Sequence, residues 1–302
     1  MIDVSPKNIT LRYARAQGRL YASPETIQRV KNGQVPKGDV LQVARAAGIS
    51  AAKRTAEWLV FCHPIPLDWV EVSVEPEAES LLVQAEVKAI WRTGVEMEAL
   101  TAASAALLNA YDMLKPIDQQ LRIGEIELVE KRGGKSDFAQ RPDRPIRAGV
   151  LVVSTSTAQG TRTDRSGPVV RQFLEDRGVQ VVQQAVVPDQ TEAIVQHLED
   201  WADRQKLDLI FTSGGTGLGP YDLTPEATRQ VIDREVPGIA EAIRRYGKER
   251  TPYAMLSREV AGLRGQCLII NLPGSSKGAL ESLQALFPGL LHAFHVMAGG
   301  GH

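Results

Sequence analysis

Residues 207–219, LDLIFTSGGTGLG, decide the fold of the second half of this 302-residue chain. The apolar run that ends at Phe211 has the length and composition of a strand buried on both faces of a parallel sheet. Four glycines follow within eight residues. Glycines after a buried strand let the backbone approach a ligand and turn its amides toward an anion. Since no Gly-Lys-Ser/Thr follows, the loop is not a Walker A motif.

A second loop of this kind occupies residues 267–277, CLIINLPGSSK. An apolar run again leads into a glycine, and hydroxyls and a lysine follow at the start of a predicted helix, where they suit a phosphate. Two such loops in one domain indicate a phosphorylated or nucleotide ligand. For either loop alone, the simpler reading is that its glycines only form a tight turn.

The rest of the second half alternates apolar runs with helical segments. Runs at 150–153 and 179–186 alternate with helices predicted at 167–177 and 189–204. This order predicts a doubly wound, three-layer α/β domain, whose ligand lies at the carboxyl ends of the strands. Asp189 and Asp222 are expected at that edge, each just before a helix. They are either helix-capping acids or ligands of a Mg²⁺ ion bound to nucleotide phosphates.

Two prolines among charged residues mark residues 139–147 as a linker between domains at 1–138 and 148–302. Before the linker, Ser23-Pro24 starts a predicted helix, and Asp39 caps another running to about Trp58. Alternating runs at 70–74 and 83–89 and a strand at 123–129 flank a long helix from Val95 to Lys115. This mixture predicts an antiparallel α+β domain.

Asp112 and Lys115 share a face of the long helix, because residues three apart are neighbours. A surface ion pair of little energetic weight is the plain alternative. Glu98 lies on the same face, 14 residues away, which is about 21 Å at 1.5 Å per residue. One chain could hardly bring both carboxylates to one reacting atom. If both serve one site, two chains build it.

The neighbours Cys62 and His63 are unsuited to sharing one tetrahedral zinc ion, so no zinc site is expected. Residues 131–136, KRGGKS, combine three cations with two glycines. They fit either a polyphosphate or an ordinary solvated turn.

Composition excludes several classes of protein. Lys and Arg number 35 against 36 Asp and Glu, so the chain lacks the basic footprint of a general nucleic-acid binder. Hydrophobic residues at 43% exclude a disordered chain. Two distant cysteines argue against a disulfide framework, and no apolar run suggests a membrane span. A cytoplasmic protein is expected.

Four motifs of the second half, in order, resemble the molybdopterin adenylyltransferase family: Pro188-Asp189, residues 212–217, residues 222–228 (DLTPEAT) and residues 271–274. The resemblance implies adenylyl transfer from Mg-ATP to molybdopterin. It implies Asp189 and Asp222 as functional acids that hold the Mg²⁺ of ATP, and substrate contacts at Asp164, Ser213, Gly214, Gly215, Thr216, Gly217, Pro273, Gly274 and Ser275. Residues 154–158, STSTA, depart from the family, because many relatives carry Asp-Arg after the serine.

The first half resembles the cyclic pyranopterin monophosphate synthase family, through KGDV (37–40), AAKRT (51–55), CHP (62–64), TGVEMEALT (93–101), YDM (111–113) and GGKS (133–136). The resemblance implies a lyase that converts 3',8-cyclo-7,8-dihydroguanosine 5'-triphosphate into cyclic pyranopterin monophosphate and diphosphate, with no tightly bound cofactor. It also implies a ferredoxin-like fold, and a homo-oligomer (a hexamer or trimer of dimers) with sites at subunit interfaces.

The same resemblance implies roles for individual residues. Asp112 is the acid/base carboxylate, and Lys37, Lys115 and His63 transfer protons or contact substrate. Substrate-binding segments contribute Phe61, Cys62, Met97 and Glu98, and the triphosphate cations are Arg12, Lys131 and Lys135.

The chain is therefore expected to be a bifunctional molybdenum cofactor biosynthesis enzyme. Two alternatives stay open: an active lyase carrying a non-catalytic molybdopterin-binding and oligomerising module, and a purely structural protein.

Overall fold

The computed structural model describes residues 1–138 and 144–300, apart from the side chain of Lys135. The chain divides into two compact units, Met1–Phe138 and Ala139–His302. Residues 139–143 of the predicted linker lie outside the described part. Within it, no helix is both long and apolar enough to cross a membrane.

The first unit has the element order β-α-β-β-α-β, with two extra helices in the first crossover. In chain order its elements are β1 (Thr10–Tyr21), α1 (Pro24–Lys31), α2 (Val40–Ala52), α3 (Thr55–Trp58), β2 (Trp69–Pro76), β3 (Ser80–Trp91), α4 (Glu96–Leu114) and β4 (Arg122–Arg132). The sheet order is β2-β3-β1-β4, and every pair of neighbours is antiparallel.

The helix boundaries follow from local chemistry. The Ser23 hydroxyl accepts a hydrogen bond from Thr26 N, and the Asp39 carboxylate accepts one from Gln42 N, as expected of N-caps. The predicted second helix is too long by several residues: α2 ends at Ala52, and a short turn at 53–54 separates it from α3.

Strand β1 lies in the middle of the sheet, although the sequence analysis did not predict a strand there. Its inward positions carry Arg12, Ala14, Ala16, Gly18 and Leu20, which are mostly small and favour strands weakly. The small side chains make room for α4: a Cβ on Gly18 would lie 2.6 Å from Leu107. Close helix–sheet packing therefore explains why this strand lacks the usual β-branched pattern.

The second unit contains six strands and seven α-helices among its described residues. They are β5 (Arg147–Val153), α5 (Thr155–Ala158), α6 (Ser166–Glu175), β6 (Gln180–Val187), α7 (Thr191–Glu199), β7 (Leu209–Ser213), α8 (Thr224–Val231), β8 (Arg234–Glu235), α9 (Pro237–Lys248), β9 (Ala261–Arg264), β10 (Cys267–Leu272), α10 (Ser276–Leu286) and α11 (His292–Met297).

This sheet is mixed, with the order β6-β5-β7-β10-β9-β8. The first four strands are parallel, as predicted, whereas β9 and β8 run antiparallel at one edge. The short β8 and β9 escaped prediction because two- and four-residue strands have no readable period. Alternate residues of the parallel strands feed two apolar clusters: Val150 and Phe211 belong to one, and Leu151 and Ile210 to the other. The sheet is thus covered on both faces.

The first glycine loop requires glycine at residues 214 and 215, and the second leaves little room for a side chain at residue 274. Gly214 and Gly215 have φ of 114° and 62°, in the left-handed region. A Cβ on Gly214 would lie 2.2 Å from the carbonyl oxygen of Val153, and one on Gly274 would lie 3.1 Å from Gly214 Cα. The two loops therefore pack directly against each other at the carboxyl edge of the sheet.

Candidate active sites

Asp112 lies between two lysines at the C-terminal end of α4. Its Oδ2 is 2.7 Å from Lys37 Nζ, and its Oδ1 is 2.7 Å from Lys115 Nζ. Lys37 Nζ also donates to the main-chain oxygen of Asp112, at 2.8 Å. The i,i+3 pairing of Asp112 and Lys115 was predicted, and the loop before α2 supplies the third member, Lys37.

Hydrogen bonds from Lys115 and Lys37 lower the pKa of Asp112 to about 2. The same contact raises the pKa of Lys115. At neutral pH the cluster therefore rests as one carboxylate between two ammonium groups. All three side chains are substantially exposed, so a substrate can reach the protons they carry.

A cavity of about 610 Å³ adjoins the other end of α4. Five predicted residues line it: Phe61, Cys62, His63, Met97 and Glu98. The first three lie in the loop between α3 and β2, and the last two in the first turn of α4. The structure therefore gathers these five predicted residues, but separates them from the Asp112 cluster by the length of α4.

Glu98 is the buried acid of this cavity, with 3% of its surface exposed. Burial raises its pKa to about 7, and the charge on Glu96 adds to the shift. Burial also raises the pKa of the Cys62 thiol, with a contribution from Glu98. At neutral pH Glu98 is therefore poised to exchange a proton.

We expect the stability of the N-terminal domain to fall as Glu98 ionises. Its folded pKa is about 7 against 4.5 for the free side chain. The unfolded chain therefore releases this proton first, and stability declines as pH rises from about 4.5 through 7. Glu98→Gln should remove up to about 3 kcal/mol of that decline. Denaturant unfolding at pH 5 and pH 8, with the exposed Glu57→Gln as control, measures it. An equal pH dependence in the parent and Glu98→Gln would contradict the assignment.

Two predicted triphosphate cations, Lys131 and Arg12, are not among the residues that line this cavity. Lys131 Nζ lies 3.7 Å from the Glu96 carboxylate, which lines the cavity. Arg12 is 8% exposed; its guanidinium donates to the main-chain oxygens of Trp91 and Arg92 at 3.1 and 3.2 Å. Burial lowers the pKa of Arg12, opposed by the charges of Glu96 and Asp137. The side chain of Lys135, the third predicted cation, lies outside the described residues.

Three exposed apolar side chains form a stripe along α4, whose two ends adjoin the two clusters of the N-terminal domain. Met97, Leu108 and Tyr111 are exposed by 41, 54 and 37%. Their spacings of 11 and 14 residues are close to whole helical turns, so these three side chains share one face of α4. A helix face carrying such side chains is unusual in contact with water alone.

In the C-terminal domain a cavity of about 500 Å³ lies at the carboxyl ends of the parallel strands. Predicted residues that line it are Asp164, Asp189, Ser213, Gly214, Gly215, Gly274 and Ser275. Ser275 caps α10, its hydroxyl accepting from Gly278 N at 3.1 Å. The amino end of α10 therefore adjoins the cavity, where backbone amides and the helix dipole favour an anion.

Asp189 is held in this cavity by Thr155. Asp189 Oδ2 accepts from Thr155 N at 2.6 Å and from Thr155 Oγ1 at 2.8 Å. In return, Asp189 N donates to Thr155 Oγ1 at 3.0 Å. Thr155 lies in the segment that departs from the family pattern, so in this chain a hydroxyl orients the candidate acid.

Asp164 accepts main-chain hydrogen bonds at the same edge of the sheet. Its Oδ1 accepts from Ser166 N and Gly167 N at 3.0 and 2.9 Å, which caps α6. Helix capping therefore occupies one of its carboxylate oxygens. It does not exclude a ligand contact, because Asp164 also lines the cavity.

Asp222, Thr216, Gly217 and Pro273 are not among the residues that line this cavity. Asp222 belongs to a loop beside it, where its Oδ2 accepts from Gly219 N at 2.7 Å. A Cβ on Gly217 would lie 2.9 Å from the same carboxylate oxygen. The structure therefore places Asp189 in the cavity and Asp222 in its adjoining loop.

The oxygen donors around Asp189 suit a Mg²⁺ ion that would arrive with a nucleotide. Among the described residues, no three His, Cys, Asp or Glu side chains are grouped so that they could hold a metal ion. Mg²⁺ is commonly bound by one or two carboxylates together with substrate phosphates and water. Asp189 with neighbouring hydroxyls supplies oxygen donors of that kind.

Sequence reasoning missed several residues that line the cavities. Lys7 and Glu96 line the N-terminal cavity, and Arg162, Thr163 and Arg165 the C-terminal one. Arg162 and Arg165 flank the predicted residue Asp164, so this run of charged residues before a helix could have indicated them from the sequence. Lys7 had no such signal, because its position depends on how the first residues fold back on the domain.

The chain is therefore a two-domain protein in which each domain has an open cavity bearing ionisable side chains. The "MoaC family" profile matches residues 1–134, and the "Probable molybdopterin binding domain" profile matches residues 149–292. A "Molybdenum cofactor biosynthesis bifunctional protein" of Chlorobaculum tepidum is 41% identical over all of this chain and 96% of its own length. The Synechococcus elongatus protein of the same name is 42% identical, over all of this chain and 98% of its own.

The chain belongs to the family of bifunctional molybdenum cofactor biosynthesis proteins, which confirms the predicted fusion. Among solved structures, the molybdopterin biosynthesis enzyme MoaB of Thermus thermophilus is 51% identical. That match covers 51% of this chain and 97% of that chain, with a TM-score of 0.49.

Proposed function

We propose that residues 1–138 form a cyclic pyranopterin monophosphate synthase and that residues 148–302 form a molybdopterin adenylyltransferase, joined by residues 139–147. A cyclic pyranopterin monophosphate synthase of Thermomicrobium roseum, 51% identical over 149 residues, supports the first activity. The observation that carries it is the Asp112 carboxylate, 2.7 Å from both Lys37 and Lys115.

The lyase reaction opens one ring of the cyclic nucleotide, closes a pterin ring and releases diphosphate. Ring opening and closure need several proton transfers, which a carboxylate and ammonium groups in contact can exchange. His63 and Glu98 supply further proton donors and acceptors at the separate cavity. Arg12, Lys131 and Lys135 stabilise the charge that develops on the departing diphosphate.

We infer that this site is built from two chains. Asp112 and Glu98 are about 21 Å apart along α4, which is too far for one substrate-sized reaction centre within one chain. The exposed apolar stripe of α4 gives a second copy of the chain a surface on which to pack. Such packing would bring Asp112 of one chain to the cavity of the other. We also propose assembly as a hexamer or trimer of dimers. For the fold of this domain we propose the ferredoxin-like class, which the β2-β3-β1-β4 order supports.

Complementation between two inactive variants tests the shared site. Asp112→Asn disables one cluster, and His63→Ala the other. In a two-fold dimer of mixed chains, half of the dimers are heterodimers with one fully native site, so about a quarter of the parent activity returns. Refolding or co-expressing the two variants together measures this recovery. Activity no higher than that of the separate variants would contradict a site built from two chains.

For the C-terminal domain we propose a doubly wound three-layer fold and transfer of AMP. A terminal phosphate oxygen of molybdopterin attacks the α-phosphorus of ATP, and the bond from that phosphorus to the leaving diphosphate breaks. Asp189 and Asp222 hold the Mg²⁺ of ATP, while the glycine loops and the start of α10 receive the phosphates. A non-catalytic molybdopterin-binding and oligomerising module is the second candidate, favoured by the departure at residues 154–158.

Incubation of the whole protein with Mg-ATP and molybdopterin separates the two candidates. Adenylated product with release of diphosphate supports the transferase. Tight pterin binding without AMP transfer supports the module. We place both reactions in the cytoplasm; the free thiols of Cys62 and Cys267 are consistent with a reducing compartment.

A further inference from the structure

Arg258 joins the two ends of the loop that carries Asp222. Its Nε donates to the Gly217 oxygen at 2.7 Å, and its Nη2 donates to the main-chain oxygen of Asp222. Its backbone N donates to the Thr216 oxygen at 2.9 Å. One residue from the segment before β9 therefore fixes both ends of residues 216–222.

Other hydrogen bonds hold the loop and the helix that follows it. Asp222 Oδ2 accepts from Gly219 N inside the loop, at 2.7 Å. Helix α8 begins with Thr224 at the far end of the loop. The fully buried hydroxyl of Thr224 donates to the Gly214 oxygen at 2.8 Å. Arg258 thus spans a gap between two fixed points, the end of β7 and the start of α8.

Arg258 acts on the loop and is not among the cavity-lining residues. Its third nitrogen, Nη1, donates to the Glu226 carboxylate in the first turn of α8, which balances its charge. The side chain is 32% exposed. Only a guanidinium offers three such donors in one plane; a lysine ammonium at this place cannot reproduce the fork.

We propose that Arg258 is a positioning residue for the C-terminal site, holding residues 216–222, and with them the Asp222 carboxylate, where group transfer requires them. The proposal rests on the proposed adenylyl transfer. It assigns Arg258 no contact with the substrate. Its removal should therefore affect turnover far more than ligand binding, because a displacement of about 1 Å is enough to cost about 10²-fold in rate.

The test compares Arg258→Ala and Arg258→Lys in the full chain with Arg171→Ala, which removes an exposed arginine of α6 paired with Glu175. In Arg258→Ala we expect kcat for AMP transfer to fall about 10²-fold while KM for Mg-ATP changes less than about threefold. Amide exchange of Gly219 and Asp222 should accelerate, with the β7 amides unchanged. Arg258→Lys should recover part of the rate, and added guanidinium should partly rescue Arg258→Ala.

Unchanged exchange in residues 216–222 of Arg258→Ala would overturn the proposal, as would faster exchange with unchanged kcat. If the parent itself transfers no AMP, the adenylyltransferase assignment fails. Amide exchange then decides on its own whether Arg258 holds the loop. If Arg258→Ala does not fold, Arg258→Lys and Glu226→Gln carry the test, since both keep a positive charge at position 258.

Discussion

Asp112→Asn should lower the rate of cyclic pyranopterin monophosphate formation by about 10³-fold, within the range that general acid–base groups supply. The amide keeps the shape of the side chain but cannot hold a negative charge between Lys37 and Lys115. Those two ammonium groups would then face each other without a counter-ion. Product formation and diphosphate release, followed on the same sample, measure the effect.

The matched control is Glu25→Gln. Glu25 forms an ion pair with Arg29 at 2.7 Å, the same separation as in the Asp112 cluster, on the exposed face of α1. Its loss should leave the rate unchanged. If Asp112→Asn kept full activity, the cluster would be only a surface ion pair, which is the alternative that the sequence alone left open. Because the pKa of Asp112 is about 2, the ionised cluster persists as pH falls and is lost only toward pH 2.

Asp189→Asn should lower AMP transfer by about 10²–10³-fold, because the neutral amide binds Mg²⁺ far more weakly than a carboxylate does. Thr155 N still finds an oxygen acceptor if the introduced amide places its oxygen where Oδ2 of Asp189 lies, so the local backbone should survive. Initial rates with saturating Mg-ATP measure the loss, and the melting temperature of the domain reports on folding.

Asp176→Asn serves as its control, since that exposed carboxylate accepts a hydrogen bond from Gln172 within α6, away from the cavity. It should transfer AMP at the parent rate. If Asp189→Asn also transferred AMP at the parent rate, Asp189 would be only the partner of Thr155 at a strand-to-helix turn.

The parts of the fold that depend on local chemistry were readable from sequence. Ser23 and Asp39 cap helices because their short side chains reach the nearby amides, and the left-handed glycines 214 and 215 follow a strand that is buried throughout. The 21 Å separation of Glu98 and Asp112 followed from helix geometry alone. In each case a few neighbouring residues determine the outcome.

The parts that depend on distant packing were not readable. Strand β1 is central, yet its small inward side chains are selected by α4, which follows about 80 residues later. Glu98, whose burial raises its pKa, likewise lies in a cavity that is lined by residues from the distant segments 1–7 and 61–65. The sequence did not indicate a role for Arg258, because its side chain donates to main-chain oxygens that lie about 36–41 residues earlier in the chain.

A crossed assay measures whether one chain carries two separate enzymes. Both activities, diphosphate release from the cyclic triphosphate and AMP transfer from Mg-ATP to molybdopterin, are measured on the parent, Asp112→Asn and Asp189→Asn. We expect the parent to perform both reactions, Asp112→Asn to lose only the first and Asp189→Asn to lose only the second. A parent that binds molybdopterin but transfers no AMP would contradict it, leaving a lyase joined to a pterin-binding domain.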